Sequence, residues 1–321
     1  MEEANVANGP ILVTGSAGFV GSRLVAALRR KPGVTVLTHA RKAGPGVDVA
    51  ADLADEAATA AMIAAVRPGA VAHIAGHASA ATARNNPRKT WRDNRDASFS
   101  LARAIARHAP RATVLFAGTA EIYGESFRDG PADEDTVPRP RGPYATSKLA
   151  SEFVLDHALP LSAKLILCRP VNHTGKGQAE NFVVPSFAAQ IARIEAGIAQ
   201  PIMEVGNLDA RRDFIDVDDV VDAYVGLIAK RETLPARTAV NIARGRCQPI
   251  RYVLNHLIRQ ANCPIDWRIA TERLRPDEIA EVTVKADRIE SLIGWSPRIP
   301  LADTLDTVLR DKRQHQLTAA F

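Results

Sequence analysis

Ile11-Leu12-Val13-Thr14 runs directly into Gly15-Ser16-Ala17-Gly18-Phe19-Val20-Gly21, and then into Leu24, Val25 and Leu28. The first four residues read as a short apolar strand, and the later spacing reads as one face of a helix. The order is strand, glycine loop, helix. Gly15 permits the tight turn, Gly18 lets backbone approach a pyrophosphate, and Gly21 lets the helix pack close to the strand. The anion would rest on the helix N-terminus, where free N–H groups and the helix dipole favour it. In this context the segment predicts a dinucleotide-binding domain, and with it an α/β fold built on a doubly wound parallel sheet.

Working outward, Val34-Thr35-Val36-Leu37-Thr38 reads as the second strand. An enzyme that uses NAD usually places a carboxylate just beyond it, to hold the ribose 2′-hydroxyl. Here the chain continues His39-Ala40-Arg41-Lys42. Arg41 can take a 2′-phosphate, which puts NADP ahead of NAD; the same residues would also serve a solvated basic loop. Ala70 to Ala75 forms a further strand, and His77 beyond it reads as a loop histidine near the cofactor or substrate. Asn94 is expected to open a long helix through Leu101 and Ile105. Ala112 to Ala117 is a buried parallel strand that delivers Thr119 and Glu121 at its carboxyl end, where such sheets carry their sites. Both residues would also fit simple turn closure.

Gly142-Pro143-Tyr144-Ala145-Thr146-Ser147-Lys148 sets a tyrosine and a lysine four residues apart at the start of a helix. Positions i and i+4 share a helical face, so phenol and ammonium can enter one site. A tyrosine alone, with a pKa of about 10, carries protons poorly at neutral pH. A neighbouring lysine is expected to lower that pKa and so make an acid/base group for an alcohol or carbonyl. The Pro-rich, charged stretch from Arg128 to Arg141 is expected to be a flexible border of that site.

The 321 residues suffice for one large domain or two smaller ones. A net charge of +5, from 41 basic and 36 acidic residues without a basic run, gives no support to a nucleic-acid partner. The surface does suit an anionic, phosphorylated substrate. Cys168, Cys247 and Cys263 show neither metal nor disulfide spacing and fit a reduced, cytoplasmic setting. No apolar run reaches the roughly 18 residues of a membrane span. Asp216, Asp218 and Asp219 could suggest a metal, but Asp216 and Asp219 read better as structural residues near a helix start, and no metal is expected.

The Gly-x-x-Gly-x-x-Gly spacing behind Thr14, together with the Tyr144/Lys148 pair, resembles the extended short-chain dehydrogenase/reductases, the NAD-dependent epimerase/dehydratase family of nucleotide-sugar enzymes. The resemblance implies several roles. The cofactor would meet Gly15, Gly18, Phe19, Val20, Gly21, Arg41, Asp52, Leu53, Ala75, Tyr144, Lys148 and Val171, with Asp52-Leu53 against the adenine. Thr119, Glu121, Tyr144 and Lys148 would form the catalytic set. Asn94 would keep its helix placed beside that set.

The second half of the chain sharpens the likeness. Asn172-His173-Thr174-Gly175, Val205-Gly206-Asn207-Leu208, Arg212 to Val217 and Arg273-Leu274-Arg275-Pro276-Asp277-Glu278 resemble the branch that reduces GDP-linked 4-keto-6-deoxy sugars. By that resemblance Thr119, Glu121, Tyr144, Asn172, Asn207, Arg212, Arg275 and Glu278 hold substrate. Arg212 and Arg275 would take the diphosphate, and Glu278 the guanine N1–H and amino group. Arg212 and Glu278 would serve equally as salt bridges joining two lobes. The expected division is 1–173 and 213–247 for the dinucleotide domain, and 174–212 and 248–321 for a smaller substrate lobe.

The implied reaction is reduction of GDP-4-keto-6-deoxy-D-mannose at C4 to GDP-6-deoxy-D-mannose (GDP-D-rhamnose), with NADPH as reductant and NADH as a possible substitute. Three alternatives stay open: a GDP-mannose 4,6-dehydratase; a reductase giving the 6-deoxy-talose sugar or using another nucleotide; and a cofactor-binding protein without turnover. Ala120, which cannot transfer a proton, weighs against the dehydratase, several of which carry an Asp or Ser there. Many relatives form a dimer through the two helices near Asn94–His108 and Tyr144–Ala158, so a homodimer or a dimer-based tetramer is expected.

Overall fold

The structure, a computed structural model, describes residues 9–274 and 278–319. The elements in chain order begin β1 (Ile11–Thr14), α1 (Phe19–Arg29), β2 (Val36–Ala40), β3 (Val49–Ala50), α2 (Glu56–Val66) and β4 (Ala70–His73). Next come α3 (Ala80–Asn85), α4 (Pro87–Trp91), α5 (Ala97–His108), β5 (Thr113–Ala117), α6 (Gly142–Ala158), β6 (Lys164–Pro170), β7 (Asn172–Thr174) and α7 (Val183–Glu195). The chain continues through β8 (Ile202–Val205), β9 (Arg211–Asp216), α8 (Val217–Ala229), β10 (Arg237–Ile242), β11 (Cys247–Pro249) and α9 (Ile250–Arg259). It ends with β12 (Asp266–Ile269), β13 (Glu281–Val282), α10 (Asp287–Ile293) and α11 (Leu301–Ala319).

Seven parallel strands form one sheet in the order β10-β6-β5-β4-β1-β2-β3. The period of two along each strand sends neighbouring residues into opposite layers. Leu12, Val71, Val114 and Leu165 stand in register and enter one core, with Ile63, Leu101, Ile105 and Leu155. Val13, Ala72, Leu115 and Ile166, one position on, enter the other, with Leu24, Leu28, Tyr224 and Leu227. Helices cover both faces, which is why these strands read as unbroken apolar runs. Order reverses between β1 and β4, and the crevice at their carboxyl ends is where a doubly wound sheet takes its ligand.

A third core lies outside this sheet. Phe187 and Ile191 of α7, Met203 and Val205 of β8, Leu254 and Leu257 of α9 and Leu305 and Leu309 of α11 pack together. Around them β9 pairs with β7, β11 and β13, and β8 pairs with β12. Ile289 of α10 and Trp295 pack with the sheet-side core instead, next to Val240 and Ile242, although they lie within 248–321.

Two boundaries differ from expectation. The second strand runs two residues later, so His39 and Ala40 lie inside it and Arg41 is the first residue out. Asn94 opens no helix: it sits in a π-turn, Arg92–Asp96, between α4 and α5. The wider turn buries both Asp93 and Asn94, adjacent residues that a regular helix would fan apart. Asp216 and Asp219 hold structure together. Asp216 caps α8 by accepting from the Asp218 N–H at 2.8 Å, and takes the Thr304 hydroxyl at 2.7 Å. Asp219 accepts from the Arg298 and Ile299 N–H groups, both at 3.0 Å.

Candidate active site

The strand ends open into a cleft of about 870 Å³ that runs from the glycine loop to the third core. Its floor is built without side chains. Gly15 takes a left-handed backbone, φ +68°, where a Cβ would stand 2.8 Å from Ala75 Cα. A Cβ on Gly21 would stand 2.1 Å from Gly15 O, so loop and helix touch through bare backbone. No side chain caps the start of α1, which leaves its N–H groups facing the cleft for an anion. The expected cofactor residues Phe19, Val20, Arg41, Asp52, Leu53, Ala75 and Val171 all line this cleft.

Beneath the loop lies a buried polar chain whose direction can be assigned. Thr14 Oγ1 accepts from the Ile74 and Ala75 N–H groups at 3.1 and 3.2 Å, so its own proton goes to His73 Nδ1 at 2.9 Å. The other ring nitrogen, Nε2–H, then donates to Ser98 Oγ at 3.1 Å, which donates to the Asn94 carbonyl at 2.7 Å. Burial, aided by the charges of Lys148 and His39, pushes His73 down to about 3 and keeps it neutral. The Asn94 amide closes the chain: Oδ1 accepts from the His77 N–H at 2.7 Å, and Nδ2 donates to Ser147 Oγ at 2.8 Å. Ser147 in turn donates to the Tyr144 carbonyl at 2.8 Å. The π-turn thus pins the first turn of α6.

At the end of β5, Thr119 caps a short 3-10 helix, Ala120–Tyr123, by accepting from the Glu121 N–H at 3.2 Å. Its side chain stands beside the buried Tyr144 phenol and acts on it. Thr119, Glu121 and Tyr144 share the cleft wall. Lys148 stands behind that wall. Its Nζ donates to Ala117 O at 2.8 Å and lies 4.9 Å from the Phe116 ring centroid. The expected lowering of the phenol pKa is reversed. Burial, and then the Glu121 carboxylate, raise Tyr144 well above its ordinary value, against the smaller effect of the Thr119 hydrogen bond. Lys148 is itself lowered by burial to about 8, with the Glu152 carboxylate opposing.

Glu152, which does not line the cleft but whose carboxylate acts on Lys148, is a residue that sequence reasoning missed. It stands four residues beyond Lys148 on the same helical face, a spacing that could have flagged it. Its carboxylate is buried and held by Arg169, through Nε at 3.1 Å and Nη2 at 2.8 Å. Arg169 also donates to Tyr123 Oη at 3.0 Å, and Tyr123 donates to Asn241 Oδ1 at 2.8 Å.

Asn172, Asn207, Arg212 and Glu278 also line the cleft. Arg212 Nη2 donates to one Glu278 oxygen and Asn207 Nδ2 to the other, both at 3.0 Å. Arg275 lies outside the described residues. The stretch from Arg128 to Arg141 does not line the cleft. It is tied down elsewhere: Arg139 donates to Ser126 Oγ at 2.8 Å, Ser126 donates to Val137 O at 2.6 Å, and Ala132 bridges Val284. Among the described residues no group of three or more His, Cys, Asp or Glu could hold a metal ion, and no helix is long and apolar enough to cross a membrane.

The chain is similar to several characterised proteins. GDP-6-deoxy-D-mannose reductase of Pseudomonas aeruginosa is 32% identical over 305 residues, covering 94% of this chain and 96% of the relative. GDP-6-deoxy-D-talose 4-dehydrogenase of Aggregatibacter actinomycetemcomitans is 30% identical, covering 88% and 91%. Among solved structures, that of RMD from Pseudomonas aeruginosa complexed with NADPH superposes with a TM-score of 0.83 at 30% identity, covering 96% of this chain and 99% of the other. Residues 11–243, which hold the glycine loop, the Thr119/Tyr144/Lys148 set and β10, match the NAD dependent epimerase/dehydratase family, and the chain is a member of it.

Proposed function

We propose that the protein reduces GDP-4-keto-6-deoxy-D-mannose at C4, with NADPH, to GDP-6-deoxy-D-mannose. The observation that carries this reading is that Thr119 and Tyr144 line the same cleft as Asn207, Arg212 and Glu278. Similarity over nearly the whole chain to the Pseudomonas reductase supports the same substrate. The glycine cradle fits a dinucleotide, because its backbone leaves no room for side chains at Gly15 and Gly21 and leaves the start of α1 uncapped.

When bound, the reduced nicotinamide supplies a hydride. The remaining work falls to the chain. Thr119 orients the sugar carbonyl beside Tyr144. The phenol is protonated at neutral pH and can donate to the oxygen becoming a hydroxyl; its raised pKa makes it a weaker acid, which the charge of a nearby lysine would have to offset. The cation of Lys148 then stabilises the phenolate left behind. Arg212 and Asn207 offer donors for a diphosphate, and Glu278 acceptors for guanine. Because Arg212 and Asn207 already hold both Glu278 oxygens, a guanine must share or displace those bonds.

Two parts make up the proposed enzyme: the sheet with its two cores for the cofactor, and the third core for the sugar nucleotide, with α10 returning to the sheet. Phe153, 58% exposed on α6, supports a homodimer formed through α5 and α6. Three free cysteines support a cytoplasmic setting.

The direct test is incubation with GDP-mannose alone and with the GDP-4-keto sugar plus NADPH. The second mixture should consume one NADPH per sugar and the first should not react. Release of a 4-keto-6-deoxy product from GDP-mannose without reductant would make the protein a dehydratase. NADPH consumption yielding the talo isomer, the sugar named in the 30%-identical relative, would keep the reaction class and change its face.

Burial of Lys148 also implies a pH dependence. Lys148, lowered to about 8, is charged below that pH and loses its charge above it. Turnover should therefore decline on the alkaline side with a midpoint near 8, and Lys148→Met should abolish that limb while lowering the plateau. A wild-type profile that stays flat to about pH 9.5, near the unperturbed lysine range, would remove the lysine cation from the proton-transfer step.

A further inference from the structure

Arg41, the first residue beyond β2, reaches across to the π-turn and places Nη2 2.8 Å from Asp93 Oδ1. Its Nε lies 3.9 Å from Asp52. Asp93 holds other partners: the Lys89 ammonium, His77 Nε2 at 3.3 Å and Arg92 Nη1 at 3.4 Å. Arg92 also reaches Asp52 at 2.6 Å. The Asp93 side chain is only 5% exposed, whereas Arg41 is 49% exposed. Burial works against ionisation of Asp93, yet hydrogen bonds from Lys89 and Arg41 hold its carboxyl below the ordinary range. Arg41 and Asp93 both line the main cleft and a side cavity of about 320 Å³ that opens beside it.

An arginine engaged by a carboxylate must loosen that bond to grip another anion. Asp93 can release it, because Lys89, His77 and Arg92 remain and no bare charge is stranded in the wall. We infer that Asp93 is a specificity-determining residue: its carboxylate competes with the 2′-phosphate of the cofactor for Arg41, and so limits how strongly NADPH is preferred over NADH. The inference rests on the reading that Arg41 takes the 2′-phosphate. A built-in competitor penalises only the ligand that needs Arg41. NADH lacks the phosphate and leaves the Arg41–Asp93 pair in place.

The test is calorimetric binding of NADPH and NADH to wild type, Asp93→Asn, Arg41→Ala and the double variant. Asp93→Asn keeps the shape and removes the charge. It should tighten NADPH about five- to thirtyfold, the size expected when a charge-assisted bond no longer has to be given up, and leave NADH within about twofold. In the Arg41→Ala background that gain should vanish. Asp93→Ser, expected to give the same selective gain, stands in if the asparagine variant melts early. Weaker NADPH binding by either variant, equal shifts for both cofactors, or a gain that survives without Arg41 would overturn the inference. Arg41→Ala alone separates the two levels. If it weakens NADPH and NADH alike, the 2′-phosphate reading fails and takes the inference with it. If it weakens NADPH selectively while the Asp93 variants change nothing, only the competition is refuted.

Discussion

Tyr144→Phe should lower turnover by about 10² to 10⁴, the range over which a positioned acid acts, while NADPH affinity stays close to wild type. The substitution removes one oxygen from a buried ring and leaves the helix pinned, because Ser147 reaches the Tyr144 backbone carbonyl rather than the phenol. What disappears is the hydroxyl that stands beside Thr119 at the cleft. Steady-state kinetics with the GDP-4-keto sugar and a separate binding titration give the two numbers. Turnover within a few-fold of wild type would remove Tyr144 from the chemistry. A parallel loss of NADPH affinity would place its role in cofactor binding instead.

Gly21→Ala should be severely damaging, because the added methyl has nowhere to go. The new Cβ would lie 2.1 Å from Gly15 O, 2.9 Å from Gly15 C and 3.0 Å from Ser16 Cα, all backbone atoms that no rotamer can move. Loop and helix must separate, and a forced fit in a packed region costs about 1–3 kcal/mol or more. The same loop presents the N–H groups proposed to hold the pyrophosphate, so NADPH and NADH should both weaken by at least roughly ten- to hundredfold. A lowered melting temperature should accompany the loss. Gly44→Ala is the matched control, since a Cβ there meets nothing within 4 Å. Wild-type affinity in a folded Gly21→Ala protein would mean that this loop does not cradle the cofactor.

The glycine loop, the sheet and the Tyr144/Lys148 pair were legible because each depends on local spacing: a period of two, a period of 3.6, and fixed glycine intervals. The π-turn at Arg92–Asp96 was not, because the one-residue widening that buries Asp93 beside Asn94 leaves the apolar pattern of Leu101 and Ile105 unchanged. Contacts between distant residues were equally hidden. Glu152 and Arg169 lie 17 apart in sequence and Asp93 and Arg41 lie on different elements, and nothing in either neighbourhood names the partner. The sign of the Tyr144 shift failed for a physical reason. Spacing places a cation near the phenol, but burial and the Glu121 carboxylate act on the same proton and prevail.

In the proposed reaction a hydride reaches C4 of the sugar once per turnover. NADPH carrying deuterium at the transferable position of its nicotinamide ring tests this most directly, with the GDP-4-keto-6-deoxy sugar as substrate and the product read by NMR and mass spectrometry. One deuterium per sugar is expected, located at C4 of GDP-6-deoxy-mannose, with an equal amount of oxidised cofactor released. A product without label, or labelled at another carbon, would contradict the proposed reaction.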